Sequence, residues 1–112
     1  MIVTTTSEIA GRRVVENFGL VRGNTIRARF IGRDLLAVLR SVAGGEVREY
    51  TKMMAEAREQ AIDRMIEEAA ALGADAVVGV LFQTSLVMTG ASEILCYGTA
   101  VRTEPAPLGE RS

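Results

Sequence analysis

Between Glu49 and Leu72 the apolar residues Tyr50, Met54, Ala57, Ala61, Met65, Ala69 and Leu72 recur every three or four positions without a break. That spacing predicts one amphipathic helix about 36 Å long, with the seven residues as its buried stripe. Lys52, Glu56, Glu59, Asp63, Arg64, Glu67 and Glu68 fall on the opposite face. Gly73 stands where a left-handed C-terminal cap is wanted. Alanine at the contact positions allows a β-sheet to approach the helix closely, so a long helix lying on a sheet is the first constraint on the fold.

The flanking segments supply the sheet. Arg13 to Arg22 is β-branched and apolar, with an interior Gly19 that suggests a bulge or a close backbone approach. Gly23-Asn24 reads as a turn, after which Ile26, Ala28 and Phe30 alternate with Arg27 and Arg29, placing the apolar three on one face and the arginines on the other. Asp34 to Val42 changes to helical spacing through Leu35, Val38, Leu39 and Val42, and Gly44-Gly45 ends it. Beyond the long helix, Ala76 to Phe82 is continuously apolar, as expected of a strand covered on both faces. Thr89 to Ser92 reverses the chain, and Glu93 to Arg102 forms a second strand. Leu95, Tyr97, Thr99 and Val101 share one face of it, Ile94, Cys96, Gly98 and Ala100 the other.

The expected architecture is α+β: an antiparallel sheet with a short and a long helix on one face. One helix layer leaves the second sheet face bare, yet Ile94, Cys96 and Ala100 are as apolar as the row opposite. Another copy of the same sheet is the most economical cover, which predicts a closed homo-oligomer. Residues 1–103 form a single domain on this reading, and residues 104–112, which hold both prolines, a mobile tail.

Composition then narrows function. The 112 residues contain one cysteine and no histidine, which excludes an intrachain disulfide and removes the usual general base and the commonest zinc ligand. A net charge of −1 provides no field for a polyanion, and two Tyr, three Phe and no Trp offer little for base stacking, so nucleic-acid binding is not expected. The first fifty residues carry +3 and the remainder −4, a weak asymmetry. The start of the sequence lacks the pattern of a secretory signal, and the longest apolar run is far below the roughly 20 residues of a membrane span. A cytoplasmic protein with no membrane partner and a reduced Cys96 is expected.

Three groups of residues invite chemistry. Cys96, with Met53, Met54, Met65 and Met88, offers soft donors, although no CxxC or CxC exists and one subunit has too few thiolates for a tetrahedral sulfur site. Copies of Cys96 around a ring axis would supply more; alternatively Cys96 is a small buried hydrophobe and the methionines fill the core. Arg22, Arg27, Arg29 and Arg33 beside Gly23-Asn24 form the basic cluster, which suits an anion through guanidinium forks and backbone amides, or acids of a neighbouring subunit. No phosphate-loop or dinucleotide fingerprint accompanies it. Glu56, Glu59, Asp63 and Glu67 lie three or four apart on the helix, a spacing that suits a hard cation and also an ordinary solvated face. Neither a catalytic constellation nor a cofactor site is expected, a heavy metal being the one class kept open.

Gly44-Gly45, Tyr50, Ala57-Arg58-Glu59-Gln60-Ala61, the junction Leu72-Gly73-Ala74-Asp75-Ala76-Val77-Val78-Gly79-Val80 and the closing Tyr97-Gly98-Thr99-Ala100-Val101 together resemble the YbjQ-like family of small bacterial proteins. The likeness runs from about Ile2 to Arg102. It implies a dodecin-like α+β subunit that assembles into a ring, usually a pentamer, with strands in a central barrel-like layer. It also implies a label of heavy-metal binding and no catalytic residue to carry over.

Overall fold

A computed structural model describes residues 1–28, 45–88 and 90–107. Four strands, β1 (Ile2–Val3), β2 (Arg12–Ala28), β3 (Ala76–Met88) and β4 (Ala91–Pro105), form one sheet in the order β1-β3-β4-β2, and α1 (Gly45–Ala71) lies on one face. The short helix expected over Asp34–Val42, together with Phe30, Arg29, Arg33 and Thr89, lies outside the described residues.

The sheet is mixed, where an antiparallel one is expected. β2 with β4 and β3 with β4 are antiparallel, but β1 pairs parallel to β3 through Ile2 with Ala76 and Val3 with Val77. The chain start thereby satisfies the outer edge of β3 as far as Val80, whose amide donates to the Thr4 carbonyl at 3.0 Å.

Gly23-Asn24 is no turn. β2 runs straight through it, and Gly23 lies opposite Cys96 on β4. A β-carbon at position 23 would stand 2.1 Å from the Ala61 carbonyl oxygen and 2.5 Å from the Met65 amide, so the glycine is there to let α1 onto the sheet. Continuous pairing also reverses the expected faces. Val21, Gly23 and Thr25 point under α1, and Ile26 points away, 57% exposed. Gly19 does mark a bulge, at φ 91° with a register shift after Asn17, and its amide donates to Asn17 Oδ1 at 2.7 Å.

The core is the α1–sheet seam: Ala57, Ala61, Met65 and Ala69 against Val21, Val77, Val80, Ile94, Cys96 and Ala100. Ala57, Ala61, Met65 and Ala69 are thus buried as the periodicity requires and Met54 packs half-buried beside them, whereas Leu72, one residue past α1, is exposed. Gly73 closes the helix at φ 89°, its amide donating to the Ala70 carbonyl and that of Ala74 to Ala69. Ile94, Cys96 and Ala100 are covered by α1 of their own chain rather than by a second sheet. On the opposite face the 4–11 segment covers only one end, where Ile9 packs on Ala76, Val78 and Val101.

Among the described residues, nothing covers the remainder of that outward face. Leu20, Ile26, Leu81 and Met88 are each more than half exposed. The run from Ala76 to Phe82 is thus covered only as far as Val80; α1 lies over β2 and β4, leaving Phe82 and Leu86 of β3 uncovered on the helix side as well. At the other end β4 continues to Pro105, and Ala106 is buried with its amide on the Gly11 carbonyl, so residues 104–106 belong to the body rather than to a tail.

Candidate functional site

Cys96 sits mid-strand in β4 on the α1 side, fully buried, with its Sγ 3.5 Å from Met65 Sδ. Val21, Ala57, Ala61, Val80 and Ile94 complete the same apolar cluster. Desolvation pushes the thiol above its ordinary value of 9.0, so the neutral form is held. Because α1 roofs it, Cys96 does not face the outward side of the sheet. Two sulfurs meet there, and among the described residues no three His, Cys, Asp or Glu side chains are grouped to hold an ion.

The basic cluster is divided by the strand. Arg22 lies on the outward face, in register with Tyr97, while Arg27 lies on the α1 side and donates to Gln60 Oε1. Side chains two and four residues apart share a face, but these are five apart on an unbroken ladder. Arg29 and Arg33 lie outside the described residues. The carboxylates Glu56, Glu59, Asp63 and Glu67 are solvent-exposed along α1.

The most connected polar group is one that sequence reasoning missed. Where β2, β3 and β4 end together, Thr103 donates its amide to Asp75 Oδ1 at 2.9 Å, and its hydroxyl lies 3.2 and 3.3 Å from the two Asp75 oxygens. Arg12 Nε donates to the same hydroxyl at 2.8 Å, and its Nη2 lies 3.7 Å from Asp75 Oδ2. Thr103 is 6% exposed. The signal was the lone acid of Gly73-Ala74-Asp75-Ala76, placed between a helix cap and a buried strand. The network borders an open cleft of about 770 Å³ lined by Thr6, Ser7, Glu8, Arg12 and Arg13. The hydroxyl of Thr103 is engaged by both Arg12 and Asp75, so the group fastens three strand ends together.

No described helix is long and apolar enough to cross a membrane. A family model described as "Putative heavy-metal-binding" matches residues 1–104. A UPF0145 protein of Methanosarcina acetivorans is 57% identical over 91% of this chain and 96% of its own length. One from Halorubrum lacusprofundi is 59% identical over 91% and 98%, and one from Vibrio campbellii 57% identical over the same shares, so relatives span archaea and bacteria rather than bacteria alone. In fold, the chain is similar to a Pediococcus pentosaceus protein of the DUF74 family, solved as a crystal structure and titled as of unknown function. The TM-score is 0.66 at 17% identity, covering 93% of this chain and 98% of that one. With a model matched across nearly its whole length and relatives more than half identical to it, the chain belongs to the YbjQ family of UPF0145 proteins.

Proposed function

We propose that the chain is a subunit of a closed homo-oligomer, in the ring form, usually five-membered, that its family likeness implies, and that it acts in the cytoplasm by binding rather than by catalysis. One observation carries this: Leu20, Ile26, Leu81 and Met88 stand exposed on the outward sheet face of an elongated subunit, with no cover among the described residues. The chain measures 61 × 25 × 16 Å with a radius of gyration of 18.4 Å, against about 13 Å for a compact domain of this length. Large apolar side chains exposed together on one face support an interaction site. In sedimentation velocity at micromolar concentration the protein is expected as one species at several times 12.0 kDa. A stable 12.0 kDa species would overturn the reading.

A second reading, soft-metal binding at Cys96, takes support from the family description and from the Sγ–Sδ contact of 3.5 Å. Burial of the thiol and the absence of a His, Cys, Asp or Glu cluster among the described residues weigh against it. Titration with a soft cation under a phosphine reductant separates the two. Uptake that disappears in Cys96→Ala supports the metal reading, and no uptake by either protein removes it.

A further inference from the structure

At the sheet end away from Met88 and Ala91, the cleft of about 770 Å³ lies between the 4–11 segment and the start of β2. Its walls are fixed from behind. Thr4 and Thr6 hold the segment to β3 by accepting the amides of Val80 and Gly79, and Ile9 packs on Ala76, Val78 and Val101. Gly11, at φ 76°, turns the chain into β2. The Thr6 hydroxyl donates to the Glu8 carbonyl at 2.6 Å, so the bend that carries Ser7 and Glu8 is tied within itself as well. A wall held in this way keeps its shape before a ligand arrives, which lowers the ordering cost of binding.

Two opposite charges on the cleft are left over. Arg12 is held through Nε on the Thr103 hydroxyl and through Nη2, 3.4 Å from the Thr103 carbonyl and 3.7 Å from Asp75 Oδ2. Its Nη1, with two N–H donors, meets no described residue. The strand-end network therefore positions the guanidinium and leaves one nitrogen unused. The Glu8 carboxylate also lines the cleft and is engaged by no described residue. The amides of Ser7, Glu8 and Ala10 donate to none either. Arg13, the remaining charged residue of the lining, is taken by Glu104. An inorganic anion would meet Arg12 but be repelled by Glu8, and a metal cation would face the reverse. A molecule that carries both a carboxylate and an ammonium group satisfies the two together. The volume falls within the range of small-molecule sites and has room for a short peptide.

We infer that this cleft binds a small zwitterion of the amino-acid or short-peptide class, its carboxylate on Arg12 and its ammonium on Glu8. The inference rests on the binding half of the proposed function and not on the assembly, which sedimentation velocity decides separately. Titration of the isotope-labelled protein with triglycine at neutral pH, followed by amide chemical shifts, tests it. Saturable shifts at Ser7, Glu8 and Ala10 are expected. They should vanish with N-acetyl-triglycine amide, which carries neither charge, and weaken by about tenfold or more with triglycine amide, which lacks the carboxylate. Glu8→Gln, a change on an exposed bend, should weaken triglycine by a similar factor and tighten N-acetyl-triglycine, which no longer meets a like charge. No saturable shift with triglycine, equal affinity for triglycine and its doubly blocked form, or a Glu8→Gln protein that binds triglycine as wild type does would overturn the inference. Tighter binding of inorganic phosphate than of triglycine would overturn it too, in favour of a simple anion site.

Discussion

Replacing Gly23 by alanine probes how closely helix and sheet approach. The new β-carbon would lie 2.1 Å from the Ala61 carbonyl oxygen, 2.5 Å from the Met65 amide nitrogen and 2.8 Å from Arg64 Cβ. The two nearest are backbone atoms of α1, which no rotamer change can move. Restoring an ordinary contact requires the helix to rise by about 1 Å near Ala61. Methyl groups of Ala57, Ala61 and Ala69 fill the seam now, and a gap of that width forfeits a quarter to a half of the contact energy along it. Overpacking costs about 1–3 kcal/mol where side chains can yield, so at least about 3 kcal/mol is expected where they cannot. In a domain of this size that lowers Tm by more than about 10 °C. Urea unfolding gives the free energy, with Arg22→Ala, an exposed neighbour, as the control. A Gly23→Ala protein within about 1 kcal/mol of wild type would refute the close approach and restore the turn reading.

Ala61→Glu puts a carboxylate without a partner into the seam and should cost several kcal/mol or prevent folding, whereas Glu59→Ala on the solvent face should stay within about 0.5 kcal/mol; equal thermal midpoints would place the wrong helix face inward. Thr103→Val keeps the backbone bond to Asp75 but strips the hydroxyl that joins Arg12 to the carboxylate, so a loss of about 1–3 kcal/mol is expected in denaturant titration. The raised Cys96 pKa means the native state holds its proton longer than the unfolded chain. Its contribution is complete below the unfolded value near 9.0 and declines as pH rises from there through the folded value, so wild type should lose stability against Cys96→Ala above pH 9, and parallel pH profiles would contradict it.

The helix and the last strand were legible because their signals are periodic: the stripe of α1 from Met54 to Ala69, the Gly73 cap and the two faces of β4 stand as the spacing requires. What covers each face was not. Ile94, Cys96 and Ala100 read equally well under a helix or under a second sheet, since an apolar row records burial and not the identity of its cover. Gly23-Asn24 carries the composition of a turn, and only the α1 backbone 2.1 Å from the missing β-carbon shows that the glycine serves packing. The parallel pairing of Ile2 and Val3 depends on contacts more than 70 residues away in sequence and leaves no local period. Reading Gly23-Asn24 as a turn also merged Arg22 and Arg27 into one cluster that an unbroken strand separates. Asp75 escaped notice for the opposite reason, a single acid without repetition, although its position between cap and strand demanded partners.

Native mass spectrometry of wild type at micromolar concentration tests the central claim, that the open sheet face is an interface between copies. A single closed assembly of fixed subunit number, stable to tenfold dilution, is the result predicted. A 12.0 kDa monomer, or an open ladder of sizes that shifts with concentration, would contradict it.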